Sequence, residues 1–213
     1  MRYLFSLLIV SVLANLARAG DDPVKFLKPI TGADSYAFSV SDQAQAAVEV
    51  KYQKGVPLHC VADKIEFFRT DKVLVYKDKD VWQRTRTGTL SDPLRILAPS
   101  AKVRAVSLPH EELAILGKAL GKLKKTDGIL IGTFDEENAK KLARTEDRDL
   151  ARGGTAQIWL DDKGNLSKYE IAIRVQGVRG NADVDGVMTR TVSVSGVGAT
   201  KVELPAAAKK ALE

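Results

Sequence analysis

The chain has 213 residues and one cysteine, Cys60, so no internal disulfide can staple its fold. His110-Glu111-Glu112 is not an HExxH pair, because no second histidine follows it. After the first nineteen residues, no apolar run approaches the ~20 residues a membrane-spanning helix needs. Charges of both signs are mixed rather than blocked, with no Arg-rich arm, zinc pattern or helix-turn-helix pattern. That speaks against nucleic acid as a partner. No P-loop, GxSxG or GxGxxG stretch occurs, which removes the usual routes to phosphate, hydrolase and dinucleotide chemistry.

What is present begins with a leader. Arg2 precedes an apolar run from Tyr3 to Leu16, and Ala17-Arg18-Ala19 gives a small-x-small cleavage pattern before Gly20. That is the layout of a secretory signal peptide over residues 1–19, leaving 20–213 as one domain. A lipoprotein would need a cysteine at the cleavage point, and Cys60 is far downstream. The expectation is a soluble periplasmic or secreted protein without a lipid anchor, and a monomer. The formal charge is +6, falling to +4 when Arg2 and Arg18 leave with the signal peptide. A pI near 9.3 allows transient contact with an anionic envelope membrane.

The body of the chain reads as antiparallel strands interrupted by helices. Asp21 to Asp34, broken by Pro23, Pro29 and Gly32, reads as a lead-in. Strands follow over 35–40, 46–53, 56–61, 64–69, 72–76 and 81–84, with Lys54-Gly55 and Lys77-Asp78-Lys79-Asp80 as turns. Ser91-Asp92-Pro93 signals a short helix start. Ser107 to Leu123 predicts a longer helix, with Leu113, Leu116, Leu120 and Leu123 on one face. Gly128 to Phe134 predicts a strand, and Asp135-Glu136-Glu137 opens a helix to Arg144 with acids at its favourable end. Residues 145–154 read as a loop. The last strands are 155–160, 165–176 and 187–194. Tyr169, Ile171, Ile173 and Val175 alternate with charged or polar residues, the clearest strand pattern present. A short Ala-rich helix closes the chain.

Three local patterns carry possible chemistry, and each has a plainer account. Asn181-Ala-Asp183-Val-Asp185-Gly186 matches the start of a calcium loop, but the twelfth position is Val192 instead of a bidentate glutamate. A polar hairpin loop accounts for it. His59 and Cys60 are neighbours in a strand and so point to opposite faces, which prevents a local Cys–His pair. Asp161-Asp162 occupies a turn, where solvated acids are usual. No metal, cofactor or enzymatic activity is expected.

The remaining signal is an apolar surplus. Phe67-Phe68, Val73-Leu74-Val75 and Ile158-Trp159 put large apolar groups on both faces of a sheet. An ordinary core with a few exposed hydrophobic residues fits this. So does a curved sheet enclosing an apolar cavity, with the Leu113–Leu123 helix as a lid. The residues alone leave both readings open.

The order of signal peptide, β-meander, helical insert, Gln157-Ile158-Trp159-Leu160-Asp161, a Thr-rich strand and Val202-Glu203-Leu204-Pro205 before a terminal helix resembles the LolA-like and LppX-like envelope proteins. The resemblance covers most of the mature chain in layout, but only about 60 C-terminal residues in motif. It implies a mainly β, α+β fold: one curved antiparallel sheet forming a half-barrel, with inserted helices as a lid. It also implies binding of an acyl chain or lipid, or the lipid part of an acylated protein, as a carrier needing no catalytic residue. Phe67, Phe68, Trp82, Ile158 and Trp159 are the wall candidates. Leu113, Leu116 and Leu120 are the lid candidates. Strand parity lets only one of each adjacent pair face the cavity. The alternative is a non-carrier envelope protein using the same fold for protein contacts.

Overall fold

The computed structural model describes residues 23–42, 47–85, 94–121 and 123–213. The signal-peptide reading, the Ser91-Asp92-Pro93 helix start and Lys122 lie outside them. Among the described residues the strands are β1 (Ser35–Asp42), β2 (Val48–Gln53), β3 (Leu58–Ala62), β4 (Ile65–Arg69), β5 (Leu74–Asp78), β6 (Val81–Thr85), β7 (Lys124–Thr126), β8 (Ile129–Phe134), β9 (Ala151–Leu160), β10 (Leu166–Arg179) and β11 (Ala182–Ser195). The helices are α1 (Pro23–Thr31), α2 (Leu94–Arg104), α3 (Pro109–Ala119), α4 (Glu136–Leu142) and α5 (Ala206–Leu212).

All eleven strands form one antiparallel sheet in the order β6-β5-β4-β3-β2-β1-β11-β10-β9-β8-β7. Two meanders run in opposite directions and meet where β1 pairs with β11, with Phe38 opposite Val194. β6 and β7 are the free edges, so the sheet is open. This order dictates where the helices go. The chain must return from β6 at one edge to β7 at the other. Flat, ten gaps of about 4.8 Å would make this a path of nearly 50 Å. α2 and α3 lie on the sheet along that return, and α1 and α4 join them.

Helices α1 to α4 share one face and bury one core with it. Leu27 and Ile30 of α1, Ile96 and Val103 of α2, Leu113 and Leu116 of α3, and Ala139 and Leu142 of α4 join Phe38, Val50, Cys60, Phe67, Ile158 and Ile171 of the sheet. The predicted alternation in β10 is present, with Tyr169, Ile171, Ile173 and Val175 all buried. Two glycines make close approaches possible. A Cβ on Gly132 would lie 2.7 Å from Leu120 Cδ2, so glycine there admits Leu120 against β8. A Cβ on Gly154 would lie 2.3 Å from the Ala172 carbonyl oxygen and 2.5 Å from the Phe134 ring.

α5 covers a patch on the other face. Phe68 and Val75 are buried against its Ala208, with Trp82, Val202 and Leu212 packed around them. The two-sided apolar strands therefore have two different covers.

Several boundaries differ from the sequence reading. Residues 23–31 are helical, with Lys28 and Pro29 exposed and Leu27 and Ile30 buried on α3 and the sheet. Tertiary burial outweighs the cost of Pro29. α3 stops at Ala119, and Leu120 adopts an extended backbone. Gly121 follows, and glycine costs a helix about 1 kcal/mol relative to alanine. Residues 145–150 form a 3-10 helix, and β9 already begins at Ala151. The supposed polar loop around Asp183 and Asp185 is the start of β11, and the turn is at Gly180-Asn181. Cross-strand pairing with β10, including Val178 opposite Asp183, makes the difference there.

Candidate functional site

Strand parity sorts the expected wall residues. Phe67 and Ile158 point under the helices and have no exposed surface. Leu113, Leu116 and Leu120 meet them from the cover. Phe68 and Trp82 lie on the opposite face, their rings 5.2 Å apart beneath α5. Trp159 is also on that face, where Lys168 Nζ sits 3.8 Å from its ring centre. Five of the eight thus converge between sheet and helices, and three do not.

Inside the covered face lies a polar cluster that the apolar pattern did not reveal. Arg190 on β11 approaches Glu112 on α3, with Nη2 2.6 Å from Oε1. Tyr169 on β10 donates to Glu112 Oε2 at 2.7 Å, and Arg190 donates to the Leu142 carbonyl of α4 at 3.2 Å. One arginine thereby ties two cover helices to the sheet. Burial, then the Glu112 carboxylate, push the Tyr169 phenol well above its ordinary pKa. It stays protonated and able to donate. The Arg190–Glu112 contact is an ion pair off hydrogen-bond geometry, and buried Arg190 Nε has no hydrogen-bond partner among the described residues. Arg69 on β4 plays a related part. Its guanidinium donates to the carbonyls of Val103 and Val106 at 2.6 and 3.0 Å, satisfying the open end of α2. Parity could have found both arginines. Arg69 shares a face with Ile65 and Phe67, and Arg190 with Val192 and Val194. A charge at a core-facing position has to meet a partner.

Tyr36 OH and His110 Nδ1 are 2.5 Å apart where β1 meets the first turn of α3. Burial raises the Tyr36 phenol above its ordinary range. Burial also lowers the His110 pKa, opposed by nearby Glu111. Cys60 is fully buried, and burial pushes its thiol up to about 12, so it is not a thiolate at neutral pH. His59 faces away from it and meets Glu66 at 2.9 Å. Among the described residues, no group of three or more acidic, histidine or cysteine side chains is placed to hold a metal.

Two open clefts adjoin at the edge of the cover. One, of about 280 Å³, lies between β1, β2 and α2 and is lined by Val40, Val48, Ala101 and Asp42. The other, of about 290 Å³, lies between α2, α3 and α4 and is lined by Val106, Ile115, Leu142 and Arg148. Arg144 and Arg190 line both. A third hollow, of about 390 Å³, lies on the uncovered face over Ala37, Ser39, Ser193 and Ser195. None of the described helices is long and apolar enough to cross a membrane.

No protein-family model matches the chain, and no curated protein matches it. Among solved structures, LprF from Mycobacterium bovis superposes with a TM-score of 0.50 at 15% identity, covering 88% of this chain and 98% of that chain. The Mycobacterium tuberculosis lipoprotein LppX superposes with a TM-score of 0.48 at 14% identity, covering 86% and 96%. The resemblance expected from the sequence is therefore found, as a likeness of fold. The open antiparallel sheet with inserted helices is the expected fold class.

Proposed function

We propose that the protein binds an acyl chain or lipid between its sheet and its helical cover, and serves in the envelope as a carrier or holder of that ligand. The observation that supports this most is the interior under the helices. Phe67, Leu113, Leu116, Leu120 and Ile158 converge there from separate elements. Such a surface is chemically equivalent to hydrocarbon. Side chains that move apart to admit an acyl chain exchange apolar contacts for apolar contacts. The chain itself gains about 0.8 kcal/mol for each CH₂ removed from water. The cover is made of short helices, and Leu108, the residue before α3, gives that helix no side-chain cap. Separate short elements can shift without unfolding the sheet. The fold likeness to LprF agrees with this reading.

A second reading has its own observation. Phe67, Leu113, Leu116 and Ile158 have no exposed surface, so the interior is closed as it stands. A closed fold could instead serve protein contacts in the envelope. Native mass spectrometry of purified protein, with solvent extraction of bound lipid, separates the two. The carrier reading expects one co-purifying amphiphile per chain and saturable displacement of a fluorescent fatty acid. A protein that emerges free of lipid and takes up no fatty acid at micromolar concentration would sink it.

A further inference from the structure

One end of α3 is held to the sheet by a titratable pair. Pro109 opens the helix, and Leu108 before it supplies no side-chain cap. The hydroxyl of Tyr36, reaching over from β1, stands in for one. It lies 2.5 Å from His110 Nδ1, and the His110 backbone N–H points at it from 3.5 Å. Tyr36 has no exposed surface, and among the described residues its proton has no acceptor other than His110 Nδ1. The Tyr52 ring of β2 closes the remaining side, 5.0 Å from the imidazole and 4.8 Å from the Tyr36 ring.

This arrangement works only with a neutral imidazole. Tyr36 keeps its proton and donates it to Nδ1. An imidazolium carries a proton on both ring nitrogens, so Nδ1 stops accepting. The Tyr36 proton is then left buried without a partner, which is costly. The first turn of a helix is also the unfavourable end for a cation. Among the groups around the imidazole, Tyr36 and Tyr52 come from the sheet, and Glu111 and Glu112 from α3 itself. Glu112 is turned to Tyr169 and Arg190. Glu111 favours the imidazolium, but burial outweighs it. α1, which packs on α3, carries Lys25 and Lys28, both exposed.

We infer that the Tyr36–His110 pair is an acid-released catch on the cover: protonation of His110 undoes it, and the first turns of α3 lift from β1 over the interior beneath Leu113 and Leu116. Leu120, seated against Gly132, anchors the other end of the segment. Lifting also parts Glu112 from Arg190 and Tyr169, so the open form is a minor state at neutral pH, and acid raises its population. The opening itself needs no ligand. Its use as a gate rests on the lipid-binding reading above.

Amide hydrogen exchange on the whole chain tests the catch, and uptake of a fluorescent fatty alcohol, a ligand that does not itself titrate, tests the gate. Protection factors at Leu113 to Leu116 are expected to fall about fivefold or more between about pH 7.5 and about pH 5.5. The fall should persist at low urea concentrations that do not affect these amides, the mark of a local opening. His110→Asn keeps an acceptor for Tyr36 but cannot titrate, so its protection there should change less than about twofold. Tyr36→Phe removes the hydroxyl and should leave the same amides less protected already at about pH 7.5, by about threefold or more. Circular dichroism checks that both variants fold. An acid loss in His110→Asn equal to that of wild type would overturn the catch. So would α3 amides that follow urea as steeply as Ile171 and Ile173 of β10, because α3 would then open only with the whole fold. Alcohol uptake should speed up on acidification in wild type and not in His110→Asn. Uptake at one rate at both pH values, with α3 opening in acid, would overturn the gate. No uptake at either pH, with α3 opening in acid, would sink the lipid reading and leave the catch standing.

Discussion

The two faces of the sheet carry similar residues and have different fates. On one face, Phe67, Ile158 and Tyr169 lie under four helices in a core that reaches from α1 to α4. On the other, Phe68 and Val75 are covered by one short helix, and Trp159 is covered only in part, beside Lys168. Aromatic and aliphatic content therefore does not distinguish a binding wall from an outer surface. The distinction comes from which face the β6-to-β7 return crosses. That face also holds the buried arginine and the clefts at its margin, so it is the face on which function is proposed.

Ile158 and Trp159 give the sharpest way to break this comparison, because they are neighbours on opposite faces. Ile158→Ala should cost about 2–5 kcal/mol, as deletion of a fully buried aliphatic side chain does. Trp159→Ala should cost about 1 kcal/mol, chiefly its contact with Lys168. Urea denaturation midpoints at equal slope measure both. Equal losses would mean that the faces are not energetically distinct.

Removing Ala206–Glu213 tests the outer face. It uncovers Phe68, Val75 and Trp82 while leaving the covered core in place. In a Trp159→Phe background, the emission of Trp82 should shift to the red, and stability should fall by about 1–3 kcal/mol while unfolding stays cooperative. Loss of all cooperative unfolding would show that α5 supports both faces.

The smallest effect expected is a pH effect on the covered face. Burial holds the folded His110 below its ordinary value of 6.5. As pH falls through 6.5, the unfolded chain takes up a proton that the folded chain refuses, so stability is present above that value and lost on acidification toward the folded pKa. Tm should therefore drop between about pH 7.5 and about pH 5.5, and His110→Asn should flatten this part of the profile. An unchanged slope in the variant would remove His110 from the account.

Much of the strand order was legible because short-range signals agreed. β10 alternates cleanly, Lys54-Gly55 turns between β2 and β3, and Asp135 caps α4 by accepting from the Asn138 amide at 3.0 Å. The misreadings share a cause. α1 carries two prolines, the 145–154 segment is charged and glycine-rich, and 181–186 is polar. Local composition disfavours each of these elements, and long-range pairing or burial forms them. The covered face holds five of the eight apolar candidates, Phe67, Leu113, Leu116, Leu120 and Ile158, while Phe68, Trp82 and Trp159 lie on the other, a division that needed the register. Arg69 and Arg190 were missed because hydrophobic patterning passes over charges, although their parity marked them.

The sequence by itself determined that this is an antiparallel, mainly β chain with inserted helices, because alternation, turn residues and helical periodicity act over a few residues. It also determined that Phe67 and Phe68, or Ile158 and Trp159, must part company, because adjacent strand residues face opposite ways. Only the tertiary structure decided which member went under the helices. That choice depends on the pairing of β1 with β11 and on the path back across the sheet, contacts between residues more than a hundred positions apart that no local pattern encodes.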